Sequence, residues 1–346
     1  LERKQDKDLG EKMSMLKKLQ KKIHRQGTKA IPNIIADKLA PLLPSVFNPT
    51  LKQTFIELTN ACNLNCRMCL RSKRPEGYMS MVLFKKVMDE LAEQQAGYVS
   101  LNYGGESLLH PEFKQFLAYA MTKRRTIGSI GWITNGILFD RIIADLVLKL
   151  GVDWISFSLD GVGKVNDDIR RGAQYDVIER NILYLLSKRG TGIKPQVSIG
   201  LTHTTQTKAQ IRELVDFWSG KADRIVENPC YNKSLKFVDL ENYLRSNRNF
   251  TSNYATNHYC KSPFATLAIY WNGDVVPCCY DINGSNLMGN VSQRTIKNVW
   301  LGEKYKTLRL SCVRNSFPSN SICHFCDLWE SNLAVTHYER NGCKPK

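Results

Sequence analysis

Three cysteines fall within eight residues in Cys62-Asn63-Leu64-Asn65-Cys66-Arg67-Met68-Cys69. Thiolates at this CxxxCxxC spacing can hold three irons of a [4Fe–4S] cluster and leave the fourth iron open to a ligand. A zinc site would need a fourth ligand nearby, and the nearest histidine on the expected face is His110. The chain has 11 cysteines in all, an odd number with several in CxxC-type spacing. That usage argues against a secreted disulfide framework and for reduced thiolates in metal or redox work, in a reducing, cytoplasmic compartment.

The elements that must position these thiols are legible from periodicity. From Gln53 onward, short β-branched runs alternate with helical patterns, the sign of βα units and a parallel sheet. Strands are expected at Thr54–Leu58, Tyr98–Tyr103, Ile130–Thr134, Trp154–Leu159, Gln196–Thr202 and Arg224–Glu227. Helices are expected near Val82–Gln94, Pro111–Thr122, Phe139–Leu150, Asp176–Lys188 and Lys208–Gly220. These repeats describe an α/β fold, a partial (β/α)6 TIM-like barrel over residues 51–240, whose chemistry belongs at the C-terminal strand ends. The three-cysteine loop directly follows the first strand, at that mouth.

Residues 1–50 read as a basic helical extension and linker, with Met15, Leu16, Leu19 and Ile23 at helical spacing between Lys12 and Arg25. Such a helix packs on the main domain or lies on an anionic membrane surface as a peripheral contact. Residues 255–330 read as a small cysteine-rich unit, and 331–346 as a C-terminal tail holding Cys343. In the small unit, Ala265–Tyr270 and Val275–Pro277 flank Asn272-Gly273-Asp274 as a β-hairpin, with a short helix near Thr295–Arg309. About 70 residues cannot rely on a hydrophobic core alone, so a metal site would supply the missing stability.

Composition bounds the function classes. With 42% hydrophobic residues among 346, global disorder is excluded, and no run of 18 apolar residues exists to cross a bilayer. The chain begins at Leu1 rather than Met, so its start says little about targeting. Lys and Arg number 49 against 32 Asp and Glu, a net +17 that suits an anionic partner. Ten of the basic residues and only four acids lie in residues 1–30, outside the barrel, so a nucleic-acid substrate is not needed to explain the charge.

The other strand ends also carry chemistry. The second ends in Gly104-Gly105-Glu106: glycines let the backbone approach a ligand, and a carboxylate can accept from an ammonium group. The third ends in Thr134-Asn135-Gly136, read as a helix-entry turn, and the fourth in Ser156-Phe157-Ser158-Leu159-Asp160-Gly161, with Arg170-Arg171-Gly172 beyond it. Following a CxxxCxxC, these segments resemble the GGE, TNG and SxDG motifs of the radical SAM superfamily. The resemblance implies that Cys62, Cys66 and Cys69 hold a cluster whose open iron chelates S-adenosylmethionine. Reductive cleavage, fed by a low-potential donor such as flavodoxin or ferredoxin, then gives a 5′-deoxyadenosyl radical. It further implies cofactor contacts from Gly104, Gly105, Glu106 and Ser158, with Asp160 nearby and Arg170, slightly ahead of Arg171, near the cofactor carboxylate. Met68 stands where many members carry an aromatic residue.

Cys260, Pro277-Cys278-Cys279, Met288-Gly289-Asn290 and Cys323-His324-Phe325-Cys326 resemble the SPASM or shorter twitch domain of such enzymes. The resemblance implies one auxiliary [4Fe–4S] cluster on Cys260, Cys278, Cys323 and Cys326, with Cys279 as the alternative to Cys278, and two clusters in total. The cysteine spacing is similar to that of radical SAM aminocyclitol dehydrogenases. A four-thiolate cluster has no open iron, which favours a role in fold stability and in accepting an electron from a product radical. The leading expectation is therefore dehydrogenation or epimerisation at a hydroxyl- or amino-bearing carbon of a small sugar or aminocyclitol. Cys230, past the sixth strand, is a candidate hydrogen-atom donor for epimerisation; its bland alternative is a small buried hydrophobe. Maturation of a ribosomally made peptide is the alternative enzyme reading. A non-catalytic zinc protein on nucleic acid is the reading from another class, and it leaves the strand-end motifs unexplained. Cys312 and Cys343 read as incidental.

Overall fold

A computed structural model describes residues 49–228, 260–314, 316–318, 321–326 and 336–339. The basic extension, Cys230 and Cys343 lie outside these described residues. Strands β1 (Gln53–Ile56), β2 (Tyr98–Ser100), β3 (Ile130–Thr134), β4 (Trp154–Ser158), β5 (Gln196–Thr202) and β6 (Arg224–Asn228) run parallel in sequence order. Helices α1 (Met81–Glu93), α2 (Phe113–Thr122), α3 (Arg141–Leu150), α5 (Tyr175–Arg189) and α6 (Lys208–Trp218) connect them, with a short unexpected α4 (Lys164–Ile169) before α5. This is the partial TIM-like barrel expected from the sequence.

Local chemistry explains the boundaries. The Asp140 carboxylate caps α3 by accepting from the Ile143 N–H at 2.8 Å, and Gly151 ends the helix in the left-handed region at φ +65°. Thr207 and Gln210 form a reciprocal capping box on α6, whose Leu214, Val215 and Trp218 face the core. On β5, Val197, Ile199 and Leu201 are buried, while Ser198, Gly200 and Thr202 alternate with them and are only half-buried. In register beside them on β4 stand Ser156 and Ser158. The strand period of two thus sends large apolar chains to the helices and leaves small or polar ones on the concave face.

The small unit joins the barrel through the sheet itself. Its hairpin, β7 (Thr266–Ile269) and β8 (Asp274–Val276), turns at Gly273 with φ +89°, and β9 (Gly289–Asn290) follows. β7 pairs parallel with β1, from Gln53 opposite Thr266 to Ile56 opposite Ile269. At the other edge, β10 (Thr336–Glu339) pairs antiparallel with β6, so part of the expected tail is a strand. Both pairings cover edge N–H and C=O groups that a partial barrel leaves open. The helix expected near Thr295–Arg309 is two helices, α7 (Ile296–Trp300) and α8 (Glu303–Arg314), broken at Gly302. A Cβ on Gly302 would stand 2.9 Å from the Asn298 carbonyl oxygen, so only glycine makes this close turn. No helix among the described residues is long and apolar enough to cross a membrane.

At the opposite end of the barrel, Asp153 accepts from the Ile130 N–H at 2.9 Å and from Arg124 Nε at 3.1 Å, and it pairs with Lys194. Burial pulls this carboxyl up, but the Lys194, Ile130 and Arg124 partners outweigh it and hold it below the ordinary aspartate value. A depressed folded-state pKa gives stability that is present above the unfolded value of about 3.9 and is lost as pH falls through the folded value. Asp153→Asn will therefore lower the melting temperature at pH 7 and show a flatter acid limb below pH ~4 in thermal melts.

Candidate active site

The three-cysteine loop is pinned from four directions. Ala61, at its entrance, accepts from the Glu106 N–H at 2.9 Å, and Asn135 Nδ2 donates to Asn63 Oδ1 at 2.8 Å. The end of α4 and the turn after it receive two backbone bonds, Arg67 N–H to the Ile169 carbonyl at 2.9 Å and Asn65 N–H to the Arg171 carbonyl at 2.8 Å. Arg71 donates to the Cys62 carbonyl at 2.8 Å and to the Leu64 carbonyl, and Leu64 is buried in the core. Cys62 and Cys66 are half-buried, and Cys69 is exposed. Burial pushes the Cys62 thiol up and the Cys66 thiol up to about 11; Arg170 opposes this at Cys66, while Cys69 and Cys62 add to it. Two thiols that resist ionising alone, with Cys69 beside them, suit a metal group whose positive charge compensates the thiolates.

Gly104-Gly105-Glu106 builds the floor of this loop. A Cβ on Gly105 would lie 2.3 Å from the Ala61 carbonyl oxygen, and one on Gly104 would lie 2.7 Å from Glu57 Oε2. The buried Glu106 carboxylate accepts from the Asn135 N–H at 2.8 Å, Thr134 Oγ1 at 3.0 Å and the Leu108 N–H at 3.2 Å. A carboxylate offers about four acceptor positions, and Glu106 uses two to tie the end of β2 to the end of β3 and a third to cap the 3₁₀ turn Ser107–Leu109. Its carboxyl is raised by burial against these donors.

Asp160 and Arg170 also come together. Arg170 Nε stands 2.8 Å from Asp160 Oδ2, and Asp160 Oδ1 accepts from the Thr202 N–H at 2.7 Å, so the pair joins the ends of β4 and β5. The Arg170 guanidinium is close enough to Cys66 and Cys69 for each to bear on its charge. Ser158 lies half-buried on the concave face opposite Gly200. Asn63, Asn135 and Arg71 were not singled out from the sequence; only Asn135, inside the TNG motif, carried a signal there.

The second cysteine group gathers around β8. Cys260 precedes the 3₁₀ turn Ser262–Phe264, Cys278 follows β8, and Cys323 and Cys326 lie in and after the 3₁₀ turn Ile322–Phe325. Burial raises the Cys278 thiol, with Cys279, Cys260 and Cys323 adding their charges, whereas Cys279 is exposed. Burial and the neighbouring Cys260 lift Cys323 to about 11. Cys312, which looked incidental, is buried on α8 within electrostatic reach of Cys260 and Cys323. Among the described residues no three His, Cys, Asp or Glu side chains converge on a single metal ion; a four-iron cluster sets its sulfurs farther apart than one tetrahedral ion does.

An unforeseen strap connects the two groups. Arg74, five residues past Cys69, binds buried Glu57 in bidentate fashion at 2.9 and 2.6 Å and donates to the Ile282 carbonyl at 2.9 Å. Its guanidinium carbon sits 3.5 Å from the centre of the Tyr270 ring. Tyr103, which directly precedes Gly104, donates to the Cys278 carbonyl at 3.3 Å. The barrel mouth and the auxiliary cysteines are thus parts of one braced surface.

Comparison with known proteins agrees with this architecture. Residues 56–217 match the radical SAM superfamily, and residues 260–327 match SPASM, an iron–sulfur cluster-binding domain. The chain is 25% identical over 321 residues to the tungsten-containing aldehyde ferredoxin oxidoreductase cofactor-modifying protein of Pyrococcus furiosus, covering 80% of this chain and 88% of that one. It is 29% identical over 276 residues to the mycofactocin maturase MftC of Mycobacterium tuberculosis, covering 70% of this chain and 68% of the relative. In fold it is similar to Streptococcus suis SuiB bound to precursor peptide SuiA, with TM-score 0.64 and 17% identity over 85% of this chain and 74% of that one. It is also similar to BtrN in complex with AdoMet and 2-DOIA, with TM-score 0.52 and 17% identity over 80% of this chain and 93% of that one. The chain therefore carries a radical SAM domain followed by a SPASM domain, the make-up of a radical SAM enzyme that uses S-adenosylmethionine and two [4Fe–4S] clusters.

Proposed function

We propose that this radical SAM enzyme is a maturase whose substrate is a peptide or a peptide-derived cofactor precursor. The observation that carries the reading is the likeness, over 70% of the chain, to a mycofactocin maturase, supported by a second relative named for cofactor modification. It replaces the expectation of sugar or aminocyclitol dehydrogenation, for which the similarity to BtrN is one of fold. The concave wall of Ser156, Ser158, Ser198, Gly200 and Thr202 suits a bulky substrate, because small side chains leave the half-barrel open.

In this reading Cys62, Cys66 and Cys69 hold the first cluster and Cys260, Cys278, Cys323 and Cys326 the second. Bound together, the first cluster and S-adenosylmethionine supply a radical that takes a hydrogen atom from substrate. The chain's own residues set the stage. Asn135, Arg71 and the carbonyls of Ile169 and Arg171 fix the loop, and Gly104 and Gly105 bring bare backbone to the cofactor. Glu106 offers its remaining acceptor position to the cofactor ammonium, Ser158 contacts the ribose, and Arg170 keeps positive charge beside Cys66. Cys260, Cys278, Cys323 and Cys326 would hold a cluster able to take up an electron from a substrate radical, and an acidic flavodoxin or ferredoxin suits the basic chain as reductant.

The test is anaerobic turnover with S-adenosylmethionine, dithionite and a synthetic copy of any short peptide encoded beside the gene, with an aminocyclitol in parallel. Peptide-stimulated 5′-deoxyadenosine and a peptide product lighter by two hydrogens are expected. Stimulation by the aminocyclitol alone would overturn the maturase reading. Solvent deuterium at carbon in the product would instead assign hydrogen donation to a thiol such as Cys230. Cys323→Ala protein should still form 5′-deoxyadenosine at a rate near wild type but release little product, measured by chromatography of both.

A further inference from the structure

We infer that Asn286 is a positioning residue that donates a hydrogen bond to the Cys323 sulfur and thereby raises the reduction potential of the auxiliary cluster; this rests on Cys323 being a ligand, as proposed above. Asn286 Nδ2 lies 3.4 Å from Cys323 Sγ, within reach for a donor to sulfur. The surrounding loop holds the amide there. The Asn286 N–H donates to Asp281 Oδ2 at 2.6 Å, and the Ser285 N–H donates to Asp281 Oδ1 at 2.7 Å. Asp281 is itself fully buried, and its carbonyl accepts from the Tyr270 hydroxyl. On the other side, the Ser321 hydroxyl reaches Asn286 Oδ1 at 3.5 Å and accepts from the Cys323 N–H at 3.2 Å. With its oxygen engaged by Ser321, the Asn286 amide presents its NH2 edge to the sulfur, which fixes which way the group is turned.

The consequence follows from charge. Adding an electron to a thiolate-bound cluster increases the negative charge on its sulfurs, so a fixed N–H donor stabilises the reduced form more than the oxidised form. A site that must take an electron from a substrate radical gains from this, because a higher potential makes it the better acceptor. The backbone of the loop, rather than the Asn286 side chain, holds Asp281, so the side chain is free to serve the sulfur.

The test is an EPR-monitored redox titration of the auxiliary cluster in wild-type, Asn286→Ala and Asn286→Asp holoproteins carrying equal iron. Asn286→Ala should lower the midpoint by about 59 mV, a tenfold change in the one-electron equilibrium constant. Asn286→Asp, of equal size but offering an acceptor, should lower it further. 5′-Deoxyadenosine formation without substrate should stay at the wild-type rate in both. Unchanged midpoints in the Asn286→Asp protein would overturn the inference. Loss of auxiliary iron in Asn286→Ala would also overturn it, since the side chain would then hold the fold. Cys323→Ala separates the two ideas: an auxiliary-cluster EPR signal and midpoint unchanged from wild type in that protein defeat the ligand assignment itself, whatever Asn286 does.

Discussion

Cys66→Ala protein, purified without oxygen, will hold about half of the ~8 irons expected for two [4Fe–4S] clusters and will form no detectable 5′-deoxyadenosine. The reason is geometric. Cys66 is the middle thiol of the loop, and its neighbours are Cys62 and Cys69, both of which bear on its charge. Removing it leaves two thiols on a loop whose remaining contacts are carbonyls and amides, none of them a ligand for iron of comparable softness. The fold should survive, because Leu64 and the Asn135, Ile169 and Arg171 contacts hold the loop without the Cys66 sulfur. The auxiliary cysteines, carried by a different part of the sheet, should keep their iron. Iron assay, EPR of the reduced protein and chromatography of the nucleoside together check the result. Wild-type nucleoside formation in this variant would remove Cys66 from the proposed site.

Gly105→Ala should be nearly as damaging although it touches no iron ligand. The new Cβ would meet the Ala61 carbonyl oxygen at 2.3 Å, the Thr59 carbonyl oxygen at 2.6 Å and the Asn60 carbonyl carbon at 2.8 Å. All three are backbone atoms, so no side chain can swing aside, and relief requires moving either residues 59–61 or the end of β2. That movement also breaks the 2.9 Å bond from the Glu106 N–H to the Ala61 carbonyl. Overpacking costs about 1–3 kcal/mol and the lost hydrogen bond about 1 kcal/mol more. The displaced stretch runs directly into Cys62, so the expected phenotype is a lower melting temperature, loss of the first cluster and loss of nucleoside formation. Gly220→Ala, in the turn after α6, is the control: nothing lies within 4 Å of its Cβ, and its φ of +77° makes the cost one of backbone strain, ~1–3 kcal/mol, away from the loop. Equal iron and turnover in Gly105→Ala and wild type would show that the close approach is not needed.

Much of the barrel was legible because its signals are local. A run such as Gln196–Thr202 alternates buried and half-buried residues within seven positions, and α6 announces itself with a capping box. The hairpin turn at Gly273 is equally short-range. The break at Gly302 escaped notice, since a glycine between two helical patterns reads as tolerated until the Asn298 carbonyl is found beside it. Glu106 shows a subtler limit. Its place in a GGE motif suggested a ligand contact, but not that three protein donors would occupy most of its carboxylate. Nor did anything near Arg74 in the chain point to Glu57, Tyr270 and Ile282 as its partners.

By itself the sequence determined the class of chemistry: CxxxCxxC after a first strand, GGE after a second and a distant four-cysteine set are patterns of residue type and spacing, and chemistry depends on type. The tertiary structure decided how those residues are held. It paired β7 with β1 and β10 with β6, bridged Asn63 to Asn135, clamped Arg74 between barrel and hairpin, and set Asn286 against Cys323. Each of these contacts except the short Glu57–Arg74 step joins residues far apart in the chain. Such contacts form only when the whole sheet has assembled and buried its apolar face, so no local pattern can announce them.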